Sequence, residues 1–286
     1  MNARVRDNRV GSIRAYLKDL LVPAYDEKEA DLIVRRLFFS LLDKEHSQLV
    51  IESQQTLSES ELLKLHFAAK RIAAGEPTQY VIGHAPFMHW DFHVQPGVLI
   101  PRPETEELVS WIAERHQNEV ARVLDIGVGS GCISIALKKL RPRWEVTGID
   151  RSEAALEVAR INANKLETPI TLETMDVFEY SRWADWDIIV CNPPYIHADE
   201  AKDMAEHVVR HEPHEALFVS GNDPLLFYKH ILKACKHQPK PERSIYFELP
   251  AQHALQLQDW IHEHIQVNSL LKNDMQDKPR MMYISL

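Results

Sequence analysis

The sequence predicts an α/β protein: a doubly wound, mostly parallel sheet closed by an antiparallel hairpin, with a small all-helical domain in front of it. Three observations predict it. Apolar residues recur at helical spacing over about the first seventy-five positions, short apolar strands then alternate with helices, and too few residues separate the last two strands for a parallel crossover.

From about residue 11 to 74, Ile13, Tyr16, Leu17 and Leu20, then Ile33, Leu37 and Leu41, fall on helical stripes. Asp26 with Glu29, and Ser58 with Glu61, each place an N-cap acceptor three residues ahead of a carboxylate and mark helix starts. Three or four helices fit residues 1–75. Gly75, Pro77, Gly83, Pro86, Pro96, Pro101 and Pro103 then punctuate Phe92-His93-Val94 and Val98-Leu99-Ile100, predicting a linker with a β-hairpin over 76–104. The α/β domain takes 105–286, where Thr105 reads as the N-cap of a helix carrying Leu108, Val109 and Ile112. Its candidate strands are Val123 to Ile126, Glu145 to Ile149, Ile170 to Met175, Asp187 to Cys191, Ser244 to Leu249, Val267 to Leu271 and Met281 to Leu286. Only the polar Lys272 to Arg280 stretch joins the last two, so they are expected to pair antiparallel.

A chain of 286 residues has room for one large domain and a smaller one. With 45% hydrophobic and 26% charged residues it is expected to be globular, and no apolar run is long enough to span a membrane. Arg4, Arg6, Asp7, Arg9, Arg14, Lys18 and Asp19 interrupt the first twenty residues, unlike a secretory signal. Cys132, Cys191 and Cys235 are odd in number and lack metal-ligand spacing, which with the missing signal points to the reducing cytoplasm. His230, Cys235 and His237 lack a fourth partner at finger-like spacing, so no metal is expected. A net charge of -9 argues against a nucleic-acid partner held through its phosphates, and the chain is expected to be a monomer.

Val123-Leu124-Asp125-Ile126-Gly127-Val128-Gly129-Ser130-Gly131 leaves a strand, turns through three glycines and enters the helix of Ile133, Leu137 and Leu140. Glycine permits close backbone approach, and the helix start offers unpaired N-H groups. Cys132 stands where a dinucleotide fingerprint wants its third glycine, which disfavours a pyrophosphate ligand. A carboxylate from Asp125 near the loop repels phosphate but suits the amino group and sulfonium of S-adenosylmethionine. Asp150 ends the next strand, where an acid accepts both hydrogens of a ribose diol, while Ser152 is itself an able helix cap. Asp176 ends the third strand and can accept from an adenine amino group, with Val177 or Phe178 covering the ring; a lone strand-end Asp is otherwise a turn residue.

The fourth strand runs into Asn192-Pro193-Pro194-Tyr195. Each proline fixes its φ and removes an N-H, leaving a stiff turn rich in carbonyl acceptors. An amide or aromatic amine is a poor nucleophile because its lone pair is delocalised. The Asn192 side-chain oxygen and the Pro193 carbonyl can each take one of its hydrogens, with Tyr195 stacking on the planar group or fencing it from water. No general base is assigned.

On these residues the chain resembles the protein-(glutamine-N5) methyltransferases that modify peptide chain release factors, the PrmC or HemK family, over nearly its full length. The resemblance rests on the helical N-terminal domain, Gly75-Glu76-Pro77-Thr78-Gln79-Tyr80-Val81-Ile82-Gly83, Ile100-Pro101-Arg102-Pro103-Glu104-Thr105-Glu106, the glycine loop, Asn192-Pro193-Pro194-Tyr195, Glu212-Pro213 and Ala216-Leu217. It implies a Rossmann-like, S-adenosylmethionine-dependent methyltransferase domain. Gly127, Val128, Gly129, Ser130, Gly131 and Asp150 would bind the cofactor, and Asn192 to Tyr195 would hold the glutamine of a Gly-Gly-Gln tripeptide in class I release factors. The helical domain would bind the release factor. Val177 departs from relatives that often carry an aromatic residue there, and Val219 to Leu225 departs from relatives with adjacent glycines, although Asp223 and Pro224 still read as a helix start.

Two alternatives share the catalytic loop. A sibling enzyme methylates a glutamine of a large-subunit ribosomal protein, but its linker typically has serine after the proline-arginine pair, where this chain has Pro103. An N6-adenine nucleic-acid methyltransferase also presents a planar amine, but needs phosphate-binding elements that the sequence lacks.

Overall fold

The computed structural model describes residues 5, 7–117, 120–196, 202, 206–219, 221 and 223–286. Arg4, Arg6, Ser220 and Asn222, which entered the readings above singly or within a stretch, lie outside the described residues. The chain divides into two compact units, Met1–Gly83 with Ala205–His211, and His84–Met204 with Glu212–Leu286.

The first unit is helical, with α1 Val10–Leu21, α2 Glu27–Leu42, α3 His46–Ile51, α4 Glu59–Ala73 and α5 Thr78–Ile82. The Asp26 carboxylate accepts from the Lys28 and Glu29 N-H groups, and Ser58 and Glu61 cap each other reciprocally, as their spacing predicts. Ile13, Leu17, Ile33 and Leu37 are buried in one core, with Leu20 and Leu41 at its edge. α1 to α4 are four helices within residues 1–75, where three or four were expected, and α5, only 5 residues long, lies in the expected linker, too short to show a period.

The second unit opens with the antiparallel hairpin β1 His84–Phe87 and β2 Trp90–His93, followed by α6 Pro103–Arg115. Alternation then sets in: β3 Arg122–Ile126, α7 Cys132–Leu140, β4 Glu145–Asp150, α8 Glu153–Lys165, β5 Thr171–Thr174 and β6 Ile188–Cys191. After α9 Glu206–His211, which groups with the first unit, come α10 His214–Leu217, α11 Leu226–His237, β7 Ser244–Glu248, α12 Ala254–Trp260, β8 Ser269–Asn273 and β9 Pro279–Ser285. The sheet order is β5-β4-β3-β6-β7-β9-β8. β5, β4, β3, β6 and β7 pair in parallel, and β9 lies antiparallel to both β7 and β8, so the terminal hairpin forms as predicted.

Two helix starts differ from expectation. α6 begins at Pro103 with Arg102 as N-cap, so Thr105 lies inside the first turn, buried. α11 begins at Leu226, because the Asp223 carboxylate closes a turn on the Leu225 N-H ahead of it.

Both faces of the sheet are covered, as parallel strands require. Leu124, Ile126, Ile189, Cys191, Ile245 and Phe247 pack toward α11 and α12, whereas Val123, Val146, Ile188, Val190 and Tyr246 pack toward α6 and α7. The order reverses at β3, between β4 and β6, and the carboxyl ends of these strands form the crevice where open sheets take ligands.

Candidate active site

That crevice holds a pocket lined by the tips of β3, β4 and β6 and by the segment after β5. The loop after β3 forms one wall. Gly127, Gly129 and Gly131 all adopt positive φ, and an added Cβ at Gly127 would meet nothing within 4 Å. Gly131 differs. A Cβ there would lie 3.0 Å from Ile135 and 3.2 Å from the Ala159 side chain, so this glycine lets α7 and α8 pack together.

The turn is tied down from two sides. The Gly127 and Val128 N-H groups donate to the Ile149 carbonyl at 2.9 and 3.1 Å, and the Gly129 N-H donates to the Asp150 carboxylate at 3.0 Å. The wholly buried Asn162 of α8 donates to the Ser130 and His93 carbonyls and accepts from the His93 N-H, joining the loop to the end of β2. Ser152 caps α8 through the Ala155 N-H, which leaves Asp150 facing the pocket, its pKa raised by burial.

Asp176, Val177 and Phe178 follow β5 into the pocket, with Phe178 beside Phe227 at 5.1 Å between ring centroids. One Asp176 oxygen accepts from the Phe178 N-H in a turn, which leaves the other for a ligand. Asn192, Pro193 and Pro194 enter from the end of β6. The Asn192 Nδ2 donates to Thr105 Oγ1 at 3.4 Å, and Thr105 Oγ1 donates to Glu248 Oε2 at 2.6 Å. Glu248 is 2% exposed at the end of β7, and burial pushes its carboxyl up to about 7.

Two expected site residues stand elsewhere. Asp125 is 0% exposed and is not among the pocket walls, since along β3 it alternates with Leu124 and Ile126 and faces the α7 side. There it accepts from the Ser134 N-H and hydroxyl at 3.1 and 2.6 Å. Tyr195 does not line the pocket either. It is half-buried against the core under α11, where burial raises its hydroxyl to about 12. The remaining walls come from Gly97 to Arg102, from Thr105, and from α10 and its flank. The two arginines of the lining are both paired, Arg102 with the buried Glu212 at 2.5 Å and Arg151 with Glu215 at 3.0 Å.

Residues 13–83 match the family described as PrmC N-terminal domain, and residues 103–231 the family described as Methyltransferase small domain. A release factor glutamine methyltransferase of Bacteroides thetaiotaomicron is 37% identical over 239 residues, covering 83% of this chain and 86% of that protein. One of the same description from Flavobacterium psychrophilum is 33% identical over 290 residues, covering 96% and 99%. The chain belongs to the release factor glutamine methyltransferases. Among solved structures it aligns with a T. thermophilus 16S rRNA methyltransferase in complex with AdoMet and guanosine, at TM-score 0.51 and 19% identity over 71% of this chain and 49% of that one. It also aligns with the hMettl16 catalytic domain in complex with a 3′UTR hairpin, at TM-score 0.53 and 15% identity over 80% and 81%. These two likenesses are of fold.

S-adenosylmethionine is the cofactor of this methyltransferase, and the pocket residues fit it. Asp150 offers a carboxylate to a ribose diol, Val177, Phe178 and Phe227 offer apolar surface to a base, and the open face of Gly127 admits close approach. With both lining arginines engaged by glutamates, the pocket offers no free cation to a pyrophosphate among the described residues. No described helix is long and apolar enough to cross a membrane.

Proposed function

We propose that the chain methylates the side-chain amide nitrogen of the glutamine in the Gly-Gly-Gln motif of class I release factors, with S-adenosylmethionine as donor. The observation that carries this reading is the position of Asn192 and Pro193, which project from the tip of β6 into the pocket bounded by the glycine turn at the tip of β3.

Bound S-adenosylmethionine supplies a methyl group on a positively charged sulfur. Gly127 to Gly131 and Asp150 would hold it, with Asp176 and Val177 available to its adenine. Asn192 Oδ1 accepts one hydrogen of the substrate carboxamide and the Pro193 carbonyl the other, which holds both hydrogens aside and aims the face of the nitrogen that carries the lone pair at the methyl group. Pro193 and Pro194 keep this turn from relaxing, because neither can rotate about φ or donate an N-H to compete for the acceptors. Catalysis is placement: the sulfur leaves as S-adenosylhomocysteine, and the extra proton on the methylated amide is lost to water after transfer, so no side chain need remove it beforehand.

The helical unit, expected over residues 1–75, supplies the contact with the release factor, so that binding energy gained away from the reacting amide positions it. The methyltransferase then works in the cytoplasm as a monomer on a protein, without holding nucleic acid directly. Mass spectrometry of a release factor incubated with the protein and S-adenosylmethionine tests this. One added methyl on the Gly-Gly-Gln glutamine is expected. An unmodified release factor beside a methylated ribosomal-protein glutamine or adenine overturns the substrate assignment.

A further inference from the structure

Three residues far apart in sequence form one hydrogen-bonded chain at the floor of the pocket. Thr105 sits in the first turn of α6, Asn192 follows β6 and Glu248 ends β7. The Thr105 hydroxyl has one hydrogen, committed to Glu248 Oε2 at 2.6 Å, so toward Asn192 its oxygen can only accept. The group that Asn192 turns toward it is therefore Nδ2. With Nδ2 directed to Thr105, Oδ1 lies on the other branch of the carboxamide.

We infer that Glu248, acting through Thr105, is a positioning residue that fixes which end of the Asn192 carboxamide meets the substrate. The inference rests on the methyl-transfer reading above and deepens it. An amide has two ends of nearly the same size, and packing alone cannot choose between them. A flipped Asn192 would show N-H groups to the N-H groups of the substrate amide and repel it. The chain has a direction because a buried carboxylate lies at its far end and only accepts. With Glu248 protonated or replaced by an amide, Thr105 is free to turn its hydrogen toward Asn192, and the flipped arrangement becomes equally well bonded.

The groups around Glu248 define a pH dependence. Its burial in the core and Glu104 of α6 raise its pKa, while Thr105, Asn192 and Arg280 of β9 lower it, and the outcome is about 7. The Tyr228 hydroxyl of α11 donates to the Glu248 main-chain carbonyl, and Tyr195 and Cys132 lie near enough to feel its charge, both neutral thiol or phenol with pKa values raised to about 12. The ionised carboxylate enforces the productive direction, so turnover falls as pH drops through about 7.

The test compares wild type with Glu248→Gln, Thr105→Val and Thr105→Ser, using a release factor and S-adenosylmethionine. Glu248→Gln and Thr105→Val are expected to lower kcat roughly 10- to 100-fold, with the calorimetric affinity for S-adenosylmethionine changed less than about threefold. Thr105→Ser keeps the hydroxyl and restores most of the loss. The acid limb of the kcat profile disappears in Glu248→Gln. A further readout needs neither cofactor nor substrate: exchange of the Asn192 side-chain amide hydrogens with solvent, slow in wild type, is expected to quicken at least tenfold in Thr105→Val. Cofactor affinity falling in step with kcat, an unchanged acid limb or unchanged amide exchange overturns the inference. A wild type that transfers no methyl to the glutamine while its Asn192 amide exchanges slowly overturns the reaction assigned, and with it the catalytic role, but not the hydrogen-bonded chain.

Discussion

The carboxylate of Asp150 accepts from the Gly129 N-H at 3.0 Å, so the end of β4 holds the turn at the end of β3. Its second oxygen accepts from the Ser152 N-H at 2.9 Å. One side chain thus braces the loop that receives the cofactor and faces the cofactor itself. Asp150→Ala is expected to weaken S-adenosylmethionine binding about 10- to 100-fold, the scale of one or two hydrogen bonds to a charged group. Because Ser152 still caps α8, thermal stability should change little. Calorimetric titration beside a melting curve checks both, and an unaltered affinity would remove Asp150 from the site.

Two glycines support the same loop by different means. Gly131 combines a φ of 82° with tight neighbours, so Gly131→Ala adds backbone strain to overpacking and should cost about 1–3 kcal/mol of stability. Gly148 has an ordinary extended backbone, but a Cβ there would lie 2.5 Å from Val128 Cγ2. Since Val128 lines the pocket, Gly148→Ala is expected to shift that wall and lower cofactor affinity several-fold, with a smaller loss of stability than Gly131→Ala. Denaturant melts and binding titrations of the pair separate the two effects; equal losses in both would show that the glycines do the same work.

The parts of this site that the sequence reveals are the parts that are local in the chain. A strand, a glycine turn and a helix are contiguous, and so is Asn192 to Pro194 after β6, and residues of these segments line one pocket. Asp125 shows the limit of spacing without direction, because period-two alternation along β3 turns it toward Ser134 and not toward the crevice. Gly148 carried a usable signal, since a glycine inside a strand marks a point of close approach, here by the Val128 side chain. Glu248 and Asn162 carried none, because their partners lie 32 to 143 residues away, and Thr105 was legible only as a helix cap and part of the linker stretch, because its bond to Glu248 spans 143 residues.

Replacing Asn192 separates placement from binding. Asn192→Ala removes an acceptor for the substrate amide but leaves the glycine turn, Asp150 and Phe178 in place. On the proposed mechanism kcat falls roughly 100- to 1000-fold, while the affinity for S-adenosylmethionine stays within about threefold. Single-turnover methyl transfer and equilibrium binding measure these quantities separately. Transfer at the wild-type rate would leave the orientation mechanism without its central acceptor.

Asp125 should reveal its burial through pH. Its folded carboxyl is raised to about 7, first by burial and also by the nearby Asp150, although the Ser134 N-H and hydroxyl oppose the shift. An unfolded aspartate titrates near its ordinary value of 3.8. Between those values the folded protein holds a proton that the unfolded chain has released, so this group's contribution is most favourable in acid and is lost as pH rises through about 7. Asn cannot ionise, and Asp125→Asn keeps an oxygen to accept from Ser134. The stability of the variant relative to wild type should therefore climb from about pH 4 and level off above pH 7. The total gain should be at most a few kcal/mol, since one pKa unit corresponds to about 1.4 kcal/mol. Chemical denaturation of the cofactor-free proteins across that range measures the difference directly, and other titrating groups common to both cancel. A gap that stays flat with pH would mean that Asp125 is ionised throughout, held by a partner other than Ser134.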